Sequence, residues 1–185
     1  MTGFFIFIGL IVVVFAMAIG IYNSLVKLRT STESSWSDID VQLKKRFNLI
    51  PALVETVKGY ASHEKDLFEK VTQARSQAMN AGTPEQMAAG NNMLTGTLKS
   101  LFAVSEAYPD LKANTNFMDL QRQLKDIEGD IESARRYYNA IVRDYNIKTE
   151  TFPSTIVASM FGFVKKEFFE IESPDERKPI KPDFS

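Results

Sequence analysis

From Gly3 to Tyr22 the chain runs twenty residues without a charged side chain, and the first charge after them is Lys27. At about 1.5 Å per residue, a helix of this length matches the hydrocarbon core of a bilayer, about 30 Å thick. Phe4, Phe5, Phe7, Ile11, Val13, Phe15, Ile19 and Tyr22 are the residues expected in this span. One span is predicted. A cleaved secretory signal is the competing reading, since Ala16-Met17-Ala18 fits a small-x-small cut. Met1 and Thr2 bring no basic n-region, however, and cleavage there would leave Ile19 to Tyr22 as an apolar stub, so a retained anchor is expected. Lys27, Arg29, Lys44, Lys45 and Arg46 all follow the run. The positive-inside bias then predicts an external N-terminus and a cytoplasmic body.

Composition narrows the chemistry of that body. A net charge of −1 gives no concentrated basic face, so nucleic acid is not an expected partner. With no cysteine there are no disulfides, thiolate metal sites or iron–sulfur clusters. The single histidine, His63, lies in Ser62-His63-Glu64-Lys65, which reads as an exposed helix start. No cofactor and no metal are predicted.

Beyond the anchor, apolar residues recur in helical time. Leu25, Leu28, Trp36, Ile39, Leu43, Phe47 and Ile50 form one stripe, so the first helix continues out of the span. Pro51 falls inside that pattern and predicts a kink, with Leu53, Val54 and Val57 resuming the stripe up to Gly59. A second helix, capped by Ser62, carries Leu67, Phe68, Val71, Ala74 and Ala78 as far as the Ala81-Gly82-Thr83-Pro84 break. Pro84 suits the first turn of a third, with Met87, Leu94, Leu98, Leu101 and Phe102 inside; Gly90 and Gly96 weaken it and Tyr108-Pro109-Asp110 ends it. The fourth, capped by Asn114 or Asn116, is the most regular: Phe117, Leu120, Leu124, Ile127, Ile131, Ala134, Tyr138, Ile141 and Tyr145 step by three and four.

The expected fold is therefore all-α: a single transmembrane helix followed by an antiparallel four-helix bundle with long first and fourth helices. The predicted boundaries are an anchor over 1–22, a bundle over 23–169 and a disordered, proline-rich tail over 170–185. With the long helices antiparallel and their ends aligned, Arg135 comes level with Asp38 or Asp40. An ion pair there would set the register.

Specific runs add a resemblance. Tyr22 to Arg29, Trp36 to Arg46 and Leu49-Ile50-Pro51-Ala52-Leu53-Val54-Glu55-Thr56-Val57 lead the pattern. Tyr108-Pro109-Asp110-Leu111-Lys112-Ala113-Asn114 and Ala134-Arg135-Arg136-Tyr137-Tyr138-Asn139 continue it, and together these runs resemble the LemA family of bacterial membrane proteins. The resemblance implies an anchored helical bundle in the bacterial inner membrane. It also implies links, by association, to magnetosome membrane formation and to a membrane zinc protease as a partner. It offers no active site to transfer.

If the fourth helix returns toward the bilayer, the segment Phe152 to Phe169 reaches the membrane surface. Phe161, Phe163, Phe168 and Phe169 with Lys165 and Lys166 have the composition of an interfacial helix. The competing expectation, favoured because core packing is the commoner fate of aromatic side chains, is that these phenylalanines plug the open end of the bundle.

Three functional classes remain. The first is a non-enzymatic scaffold or adaptor at the inner membrane, binding lipid and protein partners, with a homo-oligomer left open. The second is a membrane-shaping oligomer that uses the interfacial segment. An enzyme is the remote third: its best carboxylate set would be Asp38, Asp40, Glu55, His63 and Glu64, yet Asp38 and Asp40 point to different sides of a helix and no nucleophile stands near. No catalytic residue is predicted.

Overall fold

The apolar run and the stripe behind it form one uninterrupted helix, α1 (Thr2–Lys58). In this computed structural model, which describes residues 2–169, all the regular structure is α-helical. After α1 come α2 (Lys65–Met79), α3 (Pro84–Ser105), the single turn α4 (Pro109–Lys112), α5 (Thr115–Glu150) and α6 (Ser154–Met160). The tail expected from residue 170 onward lies outside the described residues.

Helix starts and stops follow local chemistry. Thr83 caps α3 by accepting from the Gln86 N–H at 3.2 Å, and the Gln86 side chain accepts in return from the Gly82 N–H at 3.0 Å. Pro84 occupies the first turn, where its missing N–H costs nothing. Of the two asparagines expected at the start of the long fourth helix, Asn114 is the cap: its Oδ1 accepts from the Phe117 N–H at 3.0 Å while its Nδ2 donates to the Tyr60 hydroxyl at 2.9 Å. Ser62 does not cap α2. The helix starts later, after Glu64, because residues 60–64 turn on backbone hydrogen bonds to Val57 and Ala61.

The described residues pack as two compact units, one made of residues 2–44 with 128–168, the other of 45–127 with Phe169. In the second unit the end of α1, α2, α3 and the start of α5 bury Ile50, Leu53, Val57, Val71, Ala74, Leu94, Leu101 and Phe117. The α2–α3 approach is close enough to require glycine: a Cβ on Gly90 would stand 2.9 Å from the Ala78 Cα. Gly90 therefore admits the close α2–α3 approach, at the cost in helix propensity that a mid-helix glycine carries. Arg46, 1% exposed, reaches α3, where its guanidinium donates to the Asn91 Oδ1 and, at 2.8 Å, to the Thr95 hydroxyl.

In the first unit α1 and α5 run antiparallel. Leu25 shares a buried cluster with Tyr145, and eleven residues further along α1 the Trp36 ring lies 5.3 Å from that of Tyr138. The break in the apolar stripe between Leu28 and Trp36 is filled by buried Thr32 and Ser35. Their hydroxyls donate to carbonyls of their own helix, Thr32 to Leu28 at 2.7 Å and Ser35 to Thr32 at 3.0 Å, so both are buried without an unpaired group.

Candidate functional site

The N-terminal part of α1 has no packing partner for most of its length. Every residue from 2 to 17 is exposed, including Phe5 at 69% and Phe15 at 66%. An apolar surface of that extent is what a lipid-facing segment presents and what a water-facing one avoids. Ala18 and Ile21 mark the change, because they pack on the buried cluster of Leu25, Tyr145, Val157, Ala158 and Phe163.

The segment behind α5 closes onto this point. Helical structure there is shorter than the interfacial helix expected over Phe152–Phe169, ending at Met160. Gly162, with φ of 69°, then reverses the chain in a left-handed conformation that side chains with a Cβ disfavour. The Phe163 N–H donates to the Ala158 carbonyl at 2.9 Å, and both residues belong to the same cluster, which is the hydrogen bond and apolar contact of a Schellman cap.

From that turn the chain runs back along α5 as an extended strap. Asn146 acts as a surrogate peptide: its Nδ2 donates to the Lys166 carbonyl and its Oδ1 accepts from the Lys166 N–H, each at 2.9 Å. The Tyr138 hydroxyl donates to the Glu167 carbonyl at 2.9 Å. Burial raises the Tyr138 pKa above its ordinary value, and the nearby Glu167 carboxylate adds to the rise. The Tyr145 pKa is also raised, mainly by burial.

The aromatic residues of this segment differ in burial. Phe163 and Phe169 are buried, whereas Phe161 and Phe168 keep 56% and 37% exposure. Tyr22 receives both neighbours edge-on, with ring centroids 4.8 Å from Phe161 and 5.7 Å from Phe163, and the Arg29 guanidinium stacks 5.2 Å from the Phe163 ring. Lys165 is exposed and pairs with Glu150 at 2.6 Å, and Lys166 is half-buried with its backbone held by Asn146. Between Val14, Ala18 and Tyr22 of α1 and the Met160–Phe161 turn lies an open cleft of about 400 Å³ with no polar surface in its walls.

The carboxylates singled out for chemistry do not gather. Asp40 pairs with Lys44 at 2.6 Å and Glu55 with Lys58 at 3.0 Å, both one turn along the same helix. Asp38 and His63 are exposed, and Arg135 is half-buried on α5. Among the described residues no three His, Asp or Glu side chains could hold a metal ion. The strap, the Asn146 clamp and the Gly162 cap went unforeseen, although Phe161-Gly162-Phe163 carries the glycine signal of a helix stop.

These features define an all-helical protein whose N-terminal helix is long and apolar enough to cross a membrane once. The chain belongs to the LemA family, whose sequence profile matches residues 35–184. It is similar to the magnetosome protein MamQ 2 of Paramagnetospirillum magneticum, at 26% identity over 86% of this chain and 68% of that protein. Similarity to the magnetosome protein MamQ of Magnetospirillum gryphiswaldense is 25% over the same shares. The LemA protein of Metamycoplasma hominis is 28% identical, covering 91% of this chain and 79% of its own.

Proposed function

We propose that this protein is a non-enzymatic scaffold or adaptor, anchored by residues 3–22 in the bacterial inner membrane with its N-terminus outside and a four-helix body in the cytoplasm. The observation that carries this reading is α1 itself. One continuous helix carries an apolar stretch, exposed from residue 2 to 17, directly into the packed part of the chain, so the body is held at the bilayer by a rod rather than a flexible linker. Within that body Asp40 and Glu55 are engaged by Lys44 and Lys58 of their own helix, which supports action by contact rather than by reaction. The long exposed faces of α5 offer the surface a protein partner would use, a membrane protease among them.

Photo-crosslinking from exposed Tyr137 and Arg136 in intact membranes tests the adaptor reading. Recovery of one defined partner supports it, and a protein that crosslinks only to itself removes it. The membrane-shaping reading is favoured by the exposed apolar residues around α6, and it differs in outcome: vesicles reconstituted with the protein alone would deform without any partner.

A further inference from the structure

We infer that the cleft between the base of the α1 anchor and the Met160–Phe161 turn is a seat for a lipid acyl chain. The exposed face of α6 would then lie in the bilayer interface as a second, shallow membrane contact. This rests on the anchoring reading above and adds a specific site to it.

The occupant follows from what forms the walls. One wall is the last part of the apolar run itself, from Val14 to Tyr22, about 12 Å along the helix axis. Any bilayer that holds this run surrounds it with hydrocarbon, so a cleft opening along it with no polar surface is filled by acyl chains. The opposite wall, Met160 and Phe161, stands beside these residues and so extends below the level of Tyr22. That depth agrees with the burial of about 5–10 Å usual for interfacial segments.

Three further observations fit the same placement. Ile156 and Met160, one turn apart on α6, are 52% and 73% exposed, while Val157 and Ala158 on the other face are buried. Water-facing short helices rarely show their apolar side in that way. Two N–H groups of the turn are paired internally, Phe161 with the Val157 carbonyl at 3.1 Å and Phe163 with the Ala158 carbonyl at 2.9 Å, which lowers the cost of placing the turn beside hydrocarbon. Lys27 and Arg29, exposed and one to two turns beyond Tyr22, stand where lipid phosphates would meet them.

The chain contains no cysteine, so single cysteines can be introduced and spin-labelled without first removing others. The test uses the full chain in vesicles of phosphatidylethanolamine and phosphatidylglycerol. Labels go at Ile156→Cys and Met160→Cys, with Met17→Cys, exposed on α1 and outside the cleft, as the span reference and Tyr137→Cys as the water reference. Collision with oxygen is compared with collision with a water-soluble nickel chelate. The expected result is an oxygen-to-nickel ratio at 156 and 160 several-fold above that at 137 and close to that at 17. If 17 reads as lipid but 156 and 160 read as water, the acyl-chain seat is wrong while the anchor stands. If 17 also reads as water, anchoring and seat fall together. Labels at 160 that broaden one another and meet neither reagent would show a second copy in the cleft, which also overturns the lipid assignment.

Discussion

The Arg75 guanidinium on α2 donates from Nε to the carbonyl of Phe47 on α1 at 2.8 Å. That carbonyl is the one Pro51 leaves without a helical donor, because proline has no N–H to return four residues back. A side chain from the neighbouring helix thus supplies the missing hydrogen bond, and α1 continues through Pro51 to Lys58.

Arg75→Met keeps the aliphatic stem but removes the donor, and it should cost about 1–2 kcal/mol, the scale of a buried carbonyl left unpaired. In a Pro51→Ala background the backbone regains an N–H that takes over the Phe47 carbonyl, so the same Arg75 change should cost much less. Chemical denaturation of the four proteins measures the coupling, and additive effects would remove the explanation.

The two glycines of α3 should respond oppositely to alanine. Gly96 has nothing within 4 Å of an added Cβ, so Gly96→Ala should stabilise by about 0.5–1 kcal/mol through helix propensity. Gly90→Ala drives a Cβ into the α2 backbone at Ala78 and should destabilise by about 1–3 kcal/mol despite the same gain in propensity. Thermal unfolding of both variants decides it. A stabilised Gly90→Ala protein would mean that the hairpin is looser than the structure.

Tyr138→Phe loses the hydroxyl that holds the Glu167 carbonyl and should cost about 1 kcal/mol at neutral pH. The gap should narrow in alkali. Because the folded pKa lies above the unfolded value of 10.0, the stabilisation is fully present below pH 10 and is lost as pH rises through the folded pKa. Phenylalanine has no proton to lose and escapes that decline. Denaturation midpoints of both proteins between pH 8 and pH 11, about the range over which tyrosine titrates, check this. A constant gap would contradict it.

The Trp36–Tyr138 contact places the turn bearing Asp38 and Asp40 level with the turn bearing Arg135, three residues before Tyr138. An ion pair between them, proposed as the register lock, predicts that Asp38→Arg or Arg135→Asp alone destabilises and that the double swap recovers part of the loss. Single swaps that leave the melting temperature unchanged would dismiss the lock.

Patterning along the chain was enough to anticipate the four longer helices and their order, though not the single turn α4. Helical periodicity is a local property, so the stripe from Leu25 to Ile50, the Pro84 start and the Asn114 cap could be read without tertiary information. Twenty uncharged residues are likewise a sufficient physical reason for a membrane-length helix, since length and transfer energy depend on composition alone. Tertiary structure decided what depends on residues far apart in the chain. Arg75 finds Phe47, Gly90 admits Ala78, and Asn146 takes Lys166 as a backbone partner only once the helices are packed side by side. The division of the C-terminal phenylalanines was settled in the same way. Gly162 turns the chain so that Phe163 enters the Leu25–Tyr145 cluster while Phe161 stays outside against Tyr22, a choice made by the direction of one turn rather than by hydrophobicity, which the two side chains share.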